Sequence, residues 1–145
     1  MVDKIQSDLK NAQLSRDEIK VSTLRLLLSE IKNAEISKGG ELVESDIISI
    51  AQKEVKKRKE AAIGFRLGQR EQQALKEESE MKILEGYLPV QLSTEELTKL
   101  VEAAITEVGA TSIVDIGKVI GVVMGRVQGQ ADGGSVSSIV KMKLT

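Results

Sequence analysis

The chain contains a single proline, Pro89, among its 145 residues. Proline interrupts helices because it lacks an amide proton and its ring clashes with the preceding turn, and it biases the preceding residue away from helix. The long stretches on either side of Pro89 lack this helix breaker and are rich in Leu, Ile, Glu and Lys, a composition typical of helical proteins. The sequence therefore predicts an all-α protein with a domain junction between about Leu88 and Ser93.

Apolar residues recur at helical spacing in seven segments. They predict an N-terminal four-helix domain over residues 1–90 and a small C-terminal three-helix domain over residues 91–145. Capping residues indicate where several helices begin. Ser15 is expected to cap the second helix, Ser93 the fifth, Ser112 the sixth and Asp132 the seventh.

Glycine occupies every fourth position in the sixth segment and the loop after it, at Gly117, Gly121, Gly125, Gly129 and Gly133. The first three form a row along one edge of an apolar stripe if the segment is helical. A glycine inside a helix costs about 1 kcal/mol relative to alanine. The row therefore indicates a surface that something approaches closely. Packing against another helix of the small domain is the favoured interpretation, and a phosphate backbone is the alternative.

The third segment carries the run K-E-V-K-K-R-K at 53–59, which has five basic residues and one acidic residue and thus a net charge of +4. Lys53, Lys56 and Lys57 are expected to project together, either as a solvated basic face or as a patch that binds RNA or another anion. Arg58 falls inside the apolar stripe instead. Because an unpaired buried charge is costly, Arg58 is expected to pair with a carboxylate of a neighbouring helix.

The chain has no His and no Cys, so residues that usually carry out several kinds of chemistry are absent. The commonest general base, the commonest metal ligand and the thiol nucleophile are therefore missing. No glycine-rich phosphate loop with Lys and Ser/Thr occurs, and no carboxylate cluster is typical of a magnesium site. We expect no catalytic residue, no cofactor and no metal.

Membrane insertion is not expected, because no apolar run approaches the roughly 20 residues that a spanning helix needs. The N-terminus leads directly into an amphipathic pattern, so a cytoplasmic protein is the expectation. The formal net charge of −1 gives no overall indication of a nucleic-acid partner, so any such binding must come from local patches.

Four short stretches together resemble the YqeY proteins. They are L-E-G-Y-L-P-V-Q-L-S-T-E-E-L at 84–97, E-V-G-A at 107–110, D-I-G-K-V-I-G-V-V-M at 115–124 and G-Q-A-D-G at 129–133. The resemblance covers essentially the whole chain. In their C-terminal part, YqeY proteins are similar to the tail domain of GatB, a subunit of the glutamine-dependent aminoacyl-tRNA amidotransferase. The resemblance implies an all-α protein with two helical domains and a link to tRNA.

Three functional hypotheses follow from these observations. The working hypothesis is a tRNA-associated accessory module without its own active site. The alternative is a protein-interaction module that docks on an amidotransferase or aminoacyl-tRNA synthetase component, for which an exposed Val122 is expected. The least favoured is a carbon–nitrogen ligase with glutamine as amido donor, because no nucleophile–base pair is found. The candidate RNA- or partner-binding residues are Lys118, Arg126, Lys141, Gly117, Gly121, Gly125, Gly129, Gly133, Lys53, Lys56 and Lys57.

Overall fold

The computed structural model describes all 145 residues, which form seven α-helices and no strand. The helices are α1 (Val2–Ser15), α2 (Glu18–Lys38), α3 (Glu44–Leu67), α4 (Glu71–Glu85), α5 (Thr94–Val108), α6 (Ile116–Val127) and α7 (Gly133–Leu144). A single 3-10 turn, Ile113–Asp115, precedes α6. The all-α fold class expected from the sequence is confirmed.

The chain divides into two compact units, Met1–Leu88 and Pro89–Thr145. In the N-terminal unit, α1 packs against α2 and α3 packs against α4, while α2 also contacts both helices of the second pair. Aliphatic side chains and one tyrosine form the core of this unit. The main cluster of buried hydrophobic residues in this core is Ile5, Leu24, Leu27, Ile31, Ile47, Leu84 and Tyr87.

In the C-terminal unit, α5, α6 and α7 each pack against the other two. Valine is the commonest residue of the core that they form. Its buried residues are Leu97, Val101, Ala104, Val119, Val123, Val127, Ala131, Val136 and Val140. Valine is a mediocre helix former, since its branched side chain loses rotamer freedom in a helix. Burial of these side chains, rather than intrinsic propensity, therefore stabilises the three helices.

Two of the predicted helix caps are confirmed. At α5, Ser93 Oγ accepts a hydrogen bond from the Glu96 amide, and Glu96 Oε2 accepts one from the Ser93 amide, both at 3.1 Å. This reciprocal pair satisfies two amides that the first helical turn leaves without partners. At α7, Asp132 Oδ1 accepts from the Ser135 amide at 2.6 Å.

The other two predicted caps are wrong. Ser15 is the last residue of α1, and its hydroxyl donates to the Ala12 carbonyl at 3.2 Å. Because Arg16 adopts a left-handed conformation with φ 60°, the chain turns before α2 starts, and Asp17 caps α2 instead. Ser112 makes no capping hydrogen bond, since the 3-10 turn intervenes and α6 begins at Ile116.

No single helix is long and apolar enough to cross a membrane. The segments Thr94–Val108 and Ile113–Val127 reach that length and composition only as a pair, which is bent by 100° at the break between them.

Candidate binding surface

The first three glycines of the four-residue repeat lie on an exposed side of α6. A Cβ atom added at Gly117, Gly121 or Gly125 would meet no other atom within 4 Å. At about 100° per residue, Gly121 lies roughly 160–200° around the helix axis from the buried Val119 and Val123. We call Gly117, Gly121 and Gly125 the glycine face. The favoured packing interpretation is wrong, because no atom of α5 or α7 lies within 4 Å of the position that a Cβ would take at these glycines.

The glycine face has one cation and one large apolar side chain beside it. Lys118 is exposed on α6 and forms no ion pair. Val114, which is 87% exposed, lies in the 3-10 turn directly before the helix. Val122, which was expected to be exposed, instead packs partly buried against the core. The surface thus consists of open helix backbone with an ammonium group and a methyl-rich side chain at its borders.

The other two candidate cations of this unit differ in their surroundings. Arg126 forms an ion pair with Glu107 of α5, and the hydrogen bond and charge of that carboxylate raise the pKa of Arg126. Lys141 is exposed in the last turn of α7 and has no ion pair, while its neighbour Lys143 pairs with Glu102 of α5 at 2.8 Å. Lys118 and Lys141 are therefore the candidate cations of this unit that remain available to a partner.

The remaining two glycines of the repeat have separate roles in the loop between α6 and α7. Gly129 has φ 87°, a conformation that glycine adopts without strain. Gln91 Nε2 donates to the Gly129 carbonyl at 3.0 Å, and the Leu92 amide donates to the Gln130 carbonyl at 2.8 Å. We call these contacts the loop clamp. Gly133 is the exposed first residue of α7, so neither it nor Gly129 belongs to the glycine face.

The lysines on α3 lie beside carboxylates. Lys53 and Lys57 line an open cleft of about 280 Å³ between α2 and α3, together with Glu30 and Glu54. Lys57 Nζ lies 3.1 Å from Glu54 Oε1, and Lys56 is exposed outside the cleft lining. The nearby carboxylates offset part of the positive charge that the run carries in the sequence.

The expectation that Arg58 is buried and paired with a carboxylate of a neighbouring helix is confirmed. Arg58 is 8% exposed, and its Nε lies 3.4 Å from Glu80 Oε2 of α4. Its Nη1 also donates to Glu54, which precedes it by one helical turn and is itself 3% exposed. Sequence reasoning missed Glu54 as a core residue. Its spacing of four residues from Arg58 was the signal that could have found it.

Residues 2–144 match the protein family described as Yqey-like protein. The chain belongs to the YqeY-like protein family. The resemblance drawn from the four motifs is thereby confirmed for nearly the whole length of the sequence.

Curated relatives of this YqeY-like chain are named "Altered inheritance of mitochondria protein 41, mitochondrial". The one from Pyrenophora tritici-repentis is 32% identical over 133 residues, covering 88% of this chain and 71% of the relative. The one from Kluyveromyces lactis is 38% identical over 107 residues, covering 71% and 57%. The one from Vanderwaltozyma polyspora is 38% identical over 85 residues, covering 58% and 46%. The aligned part thus spans between about half and about seven tenths of these relatives.

The names of these relatives bear on two expectations. They mention no enzymatic activity. They also contradict the cytoplasmic localisation expected from the sequence, because each of these relatives is named as a mitochondrial protein. That expectation rested on the absence of a targeting pattern at the N-terminus, and such an absence does not identify a compartment.

Proposed function

We propose that this YqeY-like chain is a binding module without its own active site, and that its C-terminal unit binds tRNA through the glycine face. The observation that carries the proposal is the open space over Gly117, Gly121 and Gly125. Each of these glycines costs α6 about 1 kcal/mol relative to alanine. No packing within the chain compensates for this cost, whereas a partner that approaches the helix backbone would do so on binding.

The surroundings of the glycine face suit a phosphate backbone. Protein contacts to RNA phosphates come largely from Lys and Arg side chains and from backbone amides. Lys118 lies on the same helix, and Lys141 of α7 is a second cation of the C-terminal unit that forms no ion pair. If both lysines neutralise a phosphate, the logarithm of the tRNA association constant should fall with the logarithm of the salt concentration, with a slope of about −2.

The non-catalytic part of the proposal has separate support. The curated relatives carry no enzymatic name. The charged side chains that the structure buries, Glu54 and Arg58, are paired with each other. They therefore have a structural explanation that does not require catalysis.

The deciding experiment measures binding of fluorescently labelled bulk tRNA by anisotropy across a salt series. The key variant is Gly121→Ala, and its matched control is Gly64→Ala, because Gly64 of α3 is also helical, exposed and surrounded by open space. Both variants should stabilise the protein by about 1 kcal/mol. Only Gly121→Ala should weaken tRNA binding, by roughly threefold to tenfold, since its Cβ would keep the RNA from the helix.

Further variants locate the RNA. Lys118→Ala should weaken binding and make its salt dependence shallower. Loss of binding in a Lys53/Lys56/Lys57→Ala variant, with Gly121→Ala unaffected, would place the RNA on α3 and refute the α6 proposal. An Arg126→Ala variant should have a smaller effect than Lys118→Ala, because Arg126 is already paired with Glu107. Absence of tRNA binding at low salt would refute the function as a whole.

The exposed Val114 favours a second candidate, a protein-interaction module that docks on an amidotransferase or aminoacyl-tRNA synthetase component. A helix face without side chains lets a partner helix approach closely, and an apolar neighbour would add buried area. This candidate would be supported by a stoichiometric complex between the chain and such a component. The complex should be insensitive to salt and weakened by Gly121→Ala. The same variant therefore tests the surface under both hypotheses, and the salt series separates them.

A further inference from the structure

We propose that the N-terminal unit contains a binding site for a small molecule that carries a diphosphate group. The site is an open cleft of about 440 Å³ between the end of α1 and the first two turns of α2. We call it the arginine cleft. It is lined by Gln13, Arg16, Glu18, Val21, Ser22 and Arg25. Its volume falls within the roughly 300–1,000 Å³ typical of small-molecule sites. The proposed tRNA function does not use this cleft, so the two proposals are independent.

The two arginines of the cleft are not committed to carboxylates of the chain. Arg58, Arg66 and Arg126 each form an ion pair. Arg16 and Arg25 form none, although Glu18 lines the same cleft.

A guanidinium group binds two oxygens of a phosphate at once through parallel N–H groups. Arg16 and Arg25 offer two such groups on one cleft. A diphosphate has two phosphoryl groups, and each of them can offer a pair of oxygens to one of the two arginines.

Arg16 lies at a helix end where glycine is the common residue. Arg16 has φ 60° and ψ 35°, a left-handed conformation that glycine adopts freely and that is unfavourable for other residues. Its amide bonds back to the last turn of α1, a role that any residue except proline can fill. An arginine therefore occupies this position at a conformational cost, and its side chain lies on the cleft.

The rest of the lining defines the charge of the ligand. Glu18 is the first residue of α2, and Asp17 already caps that helix end, so attraction of an anion rests on the two arginines. The Glu18 carboxylate opposes an anion and reduces the formal charge of the lining from +2 to +1. Gln13 adds an amide that can donate a hydrogen bond. Because the lining carries a net formal charge of +1, it attracts a ligand with several negative charges more strongly than a single carboxylate.

The test uses isothermal titration calorimetry of the full chain with inorganic pyrophosphate and, separately, with ADP. Arg16→Gly removes the guanidinium and keeps the left-handed cap, so the fold is retained while affinity should fall at least about tenfold. Arg25→Lys keeps the charge but loses the two-pronged contact, and should weaken binding by a smaller factor. Glu18→Gln should tighten binding about threefold or more by removing a like charge.

The matched control is Arg70→Gln, which removes an exposed arginine that forms no ion pair and lies outside the cleft. Its affinity for pyrophosphate should equal that of the unmodified chain. Equal loss in Arg70→Gln and Arg16→Gly would show non-specific charge attraction and overturn the site. Absence of binding to both ligands would also overturn it.

The two ligands distinguish the source of the diphosphate. Equal affinity for pyrophosphate and ADP, both lost in Arg16→Gly, would support a site that recognises the diphosphate alone. Tighter binding of ADP, again lost in Arg16→Gly, would support a nucleotide site. Arg16→Gly should leave tRNA binding through the glycine face unchanged, so failure of this proposal and failure of the tRNA proposal are separately visible.

Discussion

The phenolic hydroxyl of Tyr87 donates a hydrogen bond to Asp8 Oδ2 at 2.5 Å, across a sequence separation of 79 residues. Tyr87 is 7% exposed, and Lys4 Nζ lies 5.2 Å from the centre of its ring. The contact fastens the segment that follows α4 to α1 within the N-terminal unit.

Stability should fall at high pH because of this tyrosine. Burial, and then the hydrogen bond and charge of Asp8, raise the pKa of Tyr87 well above its ordinary value of 10.0. A group whose pKa is raised on folding holds its proton more tightly in the native state. Its contribution to stability is therefore complete below about pH 10 and is lost as the pH rises further.

Urea unfolding of the wild type and of Tyr87→Phe at several pH values tests this expectation. The variant should be less stable near neutral pH by about 1 kcal/mol, and its stability should decline less steeply above about pH 10. The chain has one tyrosine, so the ultraviolet absorbance of tyrosinate reports this residue alone. Tyrosinate formation with an ordinary pKa in protein that remains folded would contradict the prediction.

Replacing Arg58 should strongly destabilise the N-terminal unit. Arg58→Leu would leave Glu54, 3% exposed, without its buried partner, and such a change typically costs about 3–5 kcal/mol. The free energy of unfolding from guanidinium titrations is the measurement. A loss below about 1 kcal/mol would show that the pair is of little importance to stability.

Two controls separate the buried pair from surface charge. The double variant Glu54→Leu/Arg58→Leu should recover part of the stability, because it removes the charge of Glu54, while Glu80 still loses its contact with Arg58. Lys57→Ala should cost at most about 1 kcal/mol, since the Lys57 side chain is largely exposed where it meets Glu54.

The two serines predicted to cap helices in the C-terminal unit should respond differently to alanine. Ser93→Ala removes the side chain that accepts from the Glu96 amide and should cost about 0.5–2 kcal/mol. Ser112→Ala should change stability by less than about 0.5 kcal/mol, because Ser112 makes no capping hydrogen bond. Thermal unfolding of the two variants side by side tests this, and equal losses would be inconsistent with a 3-10 turn before α6.

Alanine substitutions at two glycines with equally open surroundings should change the stability of the protein in opposite directions. A Cβ at Gly117 or at Gly109 would meet nothing within 4 Å. Gly117→Ala should stabilise the protein by up to about 1 kcal/mol, because it lies in the first turn of α6. Gly109→Ala should destabilise it by about 1 kcal/mol, because Gly109 ends α5 with φ 71°. Differential scanning calorimetry would show melting temperatures shifted in opposite directions, and a shared direction would refute one of the two backbone assignments.

Local features of the sequence were sufficient to predict structures that involve only a few neighbouring residues. The capping box at Ser93 lies within one turn, and Gly39 and Gly109 end their helices in a left-handed conformation that glycine adopts freely. The pattern at Ser15 failed because Asp17 competes for the same role two residues later. The conformation of Arg16 settles that competition, and no propensity scale would assign an arginine to it.

Long-range packing determined the features that the sequence did not predict. Periodicity placed the glycines in a row on α6, but which side of the helix is covered depends on how α5 and α7 pack against it. Arg58 visibly required a carboxylate, whereas its contact with Glu80 depends on how α3 and α4 pair. The sequence does not predict the arginine cleft, because Arg16 and Arg25 belong to no motif and line one cleft only through the turn between α1 and α2.

The loop clamp means that the C-terminal unit begins before its first helix. A recombinant fragment that starts at Pro89 keeps Gln91 and Leu92, and with them the donors for the carbonyls of Gly129 and Gln130. A fragment trimmed to Ser93 would contain the same three helices, yet it would lose these bonds and uncover the core that Leu92 partly covers. The residues between Pro89 and Ser93 are thus part of the C-terminal fold, and a truncation designed from helix boundaries alone would remove them.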